Sequence, residues 1–253
     1  MRKRVLVTRA SGQAEVFARQ LQDAGFEAVI FPVIEFVPPE DSEPLVEAIH
    51  NLASFDWLLF TSSNSVAFFI TALLREGKTV SDLSGIKICA VGPKTSEATK
   101  EAGITIDLVP KKYQAEGVLE AFREVGINDK KILFPRAKEG REILPKGLDR
   151  MGAEVNLVPV YRTIKPEGKE KQLEDILKKG FDIISFTSGS TVRNFIEILG
   201  EKKQLITGTH IACISDVTAK VAEEYGLEVG ILPKNNTTGS MLEAIGDYFT
   251  KTF

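Results

Sequence analysis

The sequence predicts an α/β protein of two flavodoxin-like, doubly wound parallel sheets that arose by internal duplication. Three observations predict it. Short apolar runs rich in Val, Ile and Phe alternate with amphipathic stretches of about ten to fifteen residues, the pattern of parallel strands joined by crossover helices. The chain also echoes itself: KRVLVTRASG near the start returns as KKILFPRAKEG, with Arg9 over Arg136. Downstream, FDWLLFTSSNSVAFFI matches FDIISFTSGSTVRNFI and GIKICAVGPKTS matches GTHIACISDVTA, so that Thr61 meets Thr187 and Thr95 meets Thr218. A period of roughly 125 residues is the size of a domain and far too long for a solenoid unit.

Taken in order, the first copy places strands near residues 5–8, 28–31, 57–60, 88–91 and 104–108. The second places them near 132–134, 155–158, 183–186, 211–214 and 229–232. Each is short and apolar, as a strand buried on both faces must be. The helices between them carry stop signals: Gly25, Gly103, Gly152 and Gly226 follow helical patterns by one or two residues, where a left-handed C-cap belongs. Two segments break the alternation, FPVIEFVPP at 31–39 and VPVYRTIKP at 158–166, each bounded by prolines and extended in pattern. They read as connectors that either bridge the halves as a small ladder or link tandem domains split near Asn128. Periodicity does not decide between the two.

Composition bounds the function. Over 253 residues, 43% hydrophobic and 26% charged residues are globular averages, which excludes disordered, collagenous and membrane-spanning classes. The amino-terminal apolar run is only Val5, Leu6 and Val7, against the roughly 7 to 15 residues of a secretory h-region, so nothing directs export and the chain reads as cytoplasmic. Cys89 and Cys213 lie in apolar runs without metal-ligand or disulfide spacing and read as reduced core residues. A net charge of -3 spreads no basic field for nucleic acid, so an anionic ligand must be held locally. No exposed apolar helix stripe is evident, so a monomer is expected.

Candidate chemistry gathers at the ends of strands. After the third strand of each copy comes a hydroxyl-rich turn entering a helix: Thr61, Ser62, Ser63 and Asn64 in the first, Ser188 and Ser190 in the second. Backbone N–H groups at a helix start, with small hydroxyls beside them, bind anions without formal charge; ordinary N-capping explains the same residues equally well. Gly92, Lys94 and Thr95, and Thr218 in the second copy, open the next helices in the same manner. Arg9 and Arg136 end the first strand of each copy, where a guanidinium grips a carboxylate or phosphate through paired bonds or merely joins a surface ion pair. Lys94, Arg141 and Lys220 can add charge nearby. His50 and His210 lack counterparts in the other copy and read as structural. The nucleotide, hydrolase and zincin motifs are absent. Tyr161, in the second connector, aligns with Ile34 of the first; its ring can serve packing, or its hydroxyl can donate a hydrogen bond to a departing group.

VLVTRA, FTSSNSV, AVGPKTS, PVYRT, FTSGSTVRNF and TTGSML, in this order and across nearly the whole chain, resemble the uroporphyrinogen-III synthase family. The resemblance implies two α/β domains joined by a two-stranded β-ladder, the first discontinuous over 1–36 and 167–253 and the second over 37–166, with linkers near 33–40 and 159–166. It implies a cofactor-independent lyase of tetrapyrrole biosynthesis that closes hydroxymethylbilane into uroporphyrinogen III while inverting ring D through a spiro intermediate. Tyr161 falls on the family's tyrosine, and Thr61, Ser62, Thr95, Ser188, Ser190 and Thr218 on cleft positions. No metal, membrane or nucleic acid is implied, and a transient contact with hydroxymethylbilane synthase is admitted as a partner. One departure is visible: Ser215-Asp216 stands where many relatives, and the first copy at Gly92-Pro93, carry Gly-Pro. There are two rivals: a sugar-phosphate isomerase or phosphosugar sensor, which would use the same turns, and a noncatalytic tetrapyrrole-binding regulator, which would bind product without altering the isomer ratio.

Overall fold

A computed structural model describes residues 2–140 and 142–250 of the chain. Arg141 therefore lies outside the described residues. In chain order the elements are β1 (Arg4–Val7), α1 (Ser11–Asp23), β2 (Glu27–Ile30), β3 (Glu35–Val37), α2 (Glu43–His50), β4 (Trp57–Phe60), α3 (Ser63–Arg75), β5 (Lys87–Ala90), α4 (Pro93–Glu101) and α5 (Ala115–Val125). They continue with β6 (Lys131–Ala137), α6 (Ile143–Asp149), β7 (Glu154–Ile164), α7 (Glu170–Lys179), β8 (Ile183–Phe186), α8 (Gly189–Leu199), β9 (His210–Cys213), α9 (Asp216–Glu224), β10 (Val229–Ile231) and α10 (Thr238–Thr250).

Ten strands form two five-stranded sheets. One has the order β10-β9-β8-β1-β2 and is parallel throughout. The other has the order β3-β7-β6-β4-β5, with parallel pairing from β7 to β5. The chain divides into two compact units, Met1–Glu35 with Ile164–Phe253, and Phe36–Thr163. Each parallel sheet combines the first two strands of one sequence copy with later strands of the other, so neither copy is a unit by itself.

Strand residues alternate between two helix layers, because successive side chains leave a strand on opposite faces. In the first unit Val5 and Val7 pack with Phe17 and Leu21 of α1 and Met241 and Ile245 of α10. Leu6, between them, belongs to the opposite layer with Val192 and Phe195 of α8 and Ala219 of α9. The second unit repeats the plan, with α3 contributing Val66 and Phe69 on one face and α5 and α6 contributing Phe122 and Leu148 on the other. This is the doubly wound arrangement the sequence predicts. The four stop-signal glycines hold φ between 74° and 88°, the left-handed conformation a C-cap uses.

Two expectations change. The strand expected at 104–108 is reduced to one bridge, Leu108 beside Cys89. Ile104 is buried in the core, and Asp107 turns its carboxylate back onto the Ile88 N–H at 2.8 Å in place of one backbone rung, while the Ala90 N–H still donates to Leu108 O at 3.0 Å. The strand at 155–158 and the connector at 158–166 merge into the eleven-residue β7, beside which β3 lies at the sheet edge.

Candidate functional site

In doubly wound sheets, ligands sit outside the carboxyl ends of the strands where strand order reverses. In the first unit the reversal falls between β1 and β8; in the second, between β6 and β4. The helices leaving these strands pack on opposite faces of their sheet, α1 and α8 in the first unit and α6 and α3 in the second, the arrangement that in such sheets opens a crevice above the reversal.

The first unit brings Arg9, Ser188 and Ser190 to one such reversal, with Thr218 on the neighbouring turn. Arg9 follows β1; its Nη2 donates to Gln13 Oε1 at 2.8 Å, while its Nε is buried without a partner. Burial lowers the Arg9 pKa, yet a guanidinium remains charged at neutral pH. A buried N–H lacking an acceptor costs about 1–3 kcal/mol, which an incoming carboxylate would relieve. Ser188 caps α8: its Oγ accepts from Thr191 N at 3.2 Å and lies 2.9 Å from Ser190 Oγ. That leaves the N–H groups of Gly189 and Ser190 without a partner inside the helix. Ser215 caps α9 in the same way, accepting from Thr218 N at 3.3 Å, and Thr218 is 3% exposed. Asp216 places a carboxylate in that helix's first turn, where it already complements the dipole. Lys220, one turn further, is exposed.

The second unit collects Arg136, Thr61, Ser62, Ser63, Asn64, Gly92, Lys94 and Thr95. Arg136 is the last residue but one of β6 and its Nη2 meets Glu142 Oε1 at 2.5 Å, so here an ion pair occupies the guanidinium. Ser62 caps α3 by accepting from Ser65 N at 3.0 Å, leaving the first-turn N–H groups of Ser63 and Asn64. Thr61, Ser63 and Asn64 are half-buried beside it. The α4 start differs. Gly92, at φ 87°, is its N-cap and offers no side chain, so nothing competes with a ligand for the N–H groups of Lys94 and Thr95. Lys94 is exposed and Thr95 is 4% exposed.

Tyr161 lies on β7 in the second unit, 9% exposed. Its ring stacks on Phe68 at 5.4 Å and meets Phe36 edge-on at 5.5 Å. Both sequence readings of this residue therefore survive, because the ring is packed while the hydroxyl has no hydrogen-bond partner among the described residues. The histidines are placed structurally. His50 pairs with Glu76 at 3.0 Å, and His210 sits among Tyr248 and Phe249 at the opposite, amino edge of its sheet. A cavity of about 580 Å³ lines that edge with Thr209, His210, Tyr225 and Tyr248, away from the turns above. Cys89 and Cys213 are free thiols buried in the core, as expected, and burial pushes both up to about 12. Among the described residues no group of three His, Cys, Asp or Glu side chains is placed to hold a metal ion.

Sequence reasoning missed several residues that support the site. Thr8 donates to Ser185 O at 2.7 Å and Ser185 donates to Leu6 O at 2.9 Å, so two fully buried hydroxyls tie β1 to β8 at the reversal. Hydroxyls inside apolar strands were the available signal. Gln13 and Glu142, which hold the two arginines, gave none.

Fold and turns together define a two-unit α/β protein in which each unit carries hydroxyls and helix-start amides at its own reversal point. Comparison with known proteins resolves which. The family described as uroporphyrinogen-III synthase HemD matches residues 15–243. The uroporphyrinogen-III synthase of Synechococcus elongatus is 33% identical over 257 residues, covering 99% of this chain and 97% of that one. That of Chlorobaculum parvum is 32% identical over 248 residues, covering 97% and 98%. The crystal structure of uroporphyrinogen-III synthetase from Helicobacter pylori shares the fold at a TM-score of 0.63 and 19% identity, covering 98% of this chain and 99% of that one. The chain belongs to the uroporphyrinogen-III synthase family.

Proposed function

We propose that the protein closes hydroxymethylbilane into uroporphyrinogen III, with water as the second product, and that the turns described above hold the substrate. The observation that carries this is family membership over the whole chain in combination with the duplicated turns. The substrate bears carboxylate arms on every ring, and the turns offer donors in matching chemistry: free first-turn amides on α3, α4, α8 and α9, the Arg9 guanidinium and the hydroxyls of Ser188, Ser190 and Thr218.

The chemistry asks little of acids and bases. The pyrrole nitrogens supply the electron push that expels the hydroxyl, giving an electrophilic azafulvene. A phenol hydroxyl is a ready hydrogen-bond donor, and Tyr161 serves in that role to the departing oxygen. The substituted carbon of the terminal ring then attacks, the spiro intermediate fragments, and the ring recloses inverted. Because the open chain also closes by itself into the unrearranged isomer, the protein's work is orientation, which is where binding energy has most leverage. The substrate is soluble and no described helix is long and apolar enough to cross a membrane. The protein acts in the cytoplasm as a monomer, with at most a transient handover from hydroxymethylbilane synthase.

The test is isomer analysis of the product formed from hydroxymethylbilane with and without the protein. Predominantly the III isomer is expected with it and the I isomer without it. The I isomer in both reactions would remove the proposal.

A further inference from the structure

Among the exposed apolar side chains, one stands at the ligand edge of a sheet against a backbone shaped to receive it. Tyr113 is 58% exposed. It follows the vestigial fifth strand, whose Leu108 runs parallel beside Cys89, so the segment 109–113 emerges at the carboxyl edge of β5 next to the start of α4. There the ring lies against Gly92: a Cβ built on that glycine would stand 3.5 Å from Tyr113 Cγ. The segment is held from below by a second glycine. A Cβ on Gly117 in α5 would fall 2.4 Å from the Lys112 carbonyl, so only glycine lets the chain pass so closely.

The other copy lacks this arrangement. At the same register Tyr113 is replaced by Asn236 and Gly92 by Ser215, whose φ of -159° is ordinary extended backbone. The Gly-Pro against Ser-Asp difference between the copies thus has a physical content. One α-helix start caps itself with a serine and carries its own aspartate; the other stays uncapped, free of acidic residues in its first turn, and faces an aromatic ring.

We propose that Tyr113 is a substrate-binding residue, the platform on which one pyrrole ring stacks while a carboxylate arm of the same ring reaches the α4 amides of Lys94 and Thr95. This rests on the substrate assigned under the proposed function and adds which side chain receives a ring face. A pyrrole is flat and electron-rich with anionic arms, so it needs an apolar face and donors side by side, and this turn supplies both.

Three variants test it, each assayed with hydroxymethylbilane for KM, kcat and isomer ratio: Tyr113→Phe, Tyr113→Leu and Tyr113→Ala. Because the side chain is exposed, thermal midpoints should match the parent. Tyr113→Phe should keep KM within about twofold, since the face is retained, whereas Tyr113→Leu and Tyr113→Ala should raise KM roughly fivefold to tenfold with kcat less affected. Equal KM in Phe and Leu variants overturns the platform, as does parental KM in the Ala variant or equal damage in all three. Those outcomes are read only against a parent protein that yields the III isomer. A parent that fails to do so removes the substrate assignment instead.

Discussion

At the scale of single residues, Tyr161 carries the sharpest expectation. Its ring is clamped between Phe68 and Phe36, so position is set by packing and the hydroxyl is the only group lost in Tyr161→Phe. Fold and substrate affinity should stay near the parent values, while the rate of forming the III isomer falls roughly tenfold or more, the worth of one hydrogen bond to a departing oxygen. Parental turnover by this variant, measured with authentic hydroxymethylbilane, would remove the donor role. Thr218 permits a paired comparison within one sheet. It opens α9 at the carboxyl edge, where its N–H and hydroxyl both meet Ser215 Oγ, whereas Thr209 precedes β9 at the amino edge. Thr218→Ala should lower kcat/KM severalfold and Thr209→Ala should not. Equal losses in the two variants would show that the carboxyl edge has no special part in turnover.

At the scale of elements, a repeated Phe-Asp pair before β4 and β8 does what the ladder alone does not. Asp56 accepts from the Lys131 N–H at 2.9 Å and from Lys130 Nζ at 2.8 Å, tying the loop before β4 to the start of β6. Asp182 does the same to Arg4 N and Lys3 Nζ, both at 2.8 Å, at the start of β1. Each aspartate thus joins a strand of its own copy to the first strand of the other. The Lys130 and Lys131 bonds hold the Asp56 carboxyl below the usual range. Burial pushes Asp182 up, but the Arg4 and Lys3 bonds outweigh it and its carboxyl is also lowered. Carboxyls that titrate lower in the folded chain than in the unfolded one stabilise fully above the unfolded pKa of about 3.9 and lose that contribution as pH falls through the folded values. Asp182→Asn should therefore cost about 1 kcal/mol at pH 6, a drop in Tm of about 2–4 °C, with the gap to the parent closing as pH falls below the unfolded value of about 3.9. A gap that widens in acid would contradict this assignment. The motif FDW and its echo FDI were legible as repeats; that their aspartates reach across copies was not, because a carboxylate bonded to an amide some 75 or 178 residues away leaves no local pattern.

At the scale of the whole molecule, the duplication was plain in the sequence and its spatial use was not. Strand positions such as 57–60 and 183–186 could be read because both-face burial writes a continuous apolar run, and the turns because helix starts demand Ser, Thr, Asn or Gly. Periodicity carries no information on which strands pair, so a tandem split near Asn128 and an exchanged arrangement look alike until register is known. In the structure β6 pairs with β4 and β1 with β8, each pair joining different copies. Cutting at Asn128 therefore removes two strands from each parallel sheet and leaves the halves without a closed core. The segment 36–163 is different, since it is continuous and holds β4 to β7 with the helices on both of their faces. Produced alone, 36–163 should show native-like far-UV circular dichroism and unfold in urea in one cooperative transition, with a slope of about 1–3 kcal/mol/M. Residues 1–127 alone should show neither cooperativity nor protected amides, because β1 and β2 would lack β8 and β4 would lack β6. Cooperative unfolding of 1–127 with a non-cooperative 36–163 would mean that sequence copies, not exchanged units, are the folding domains.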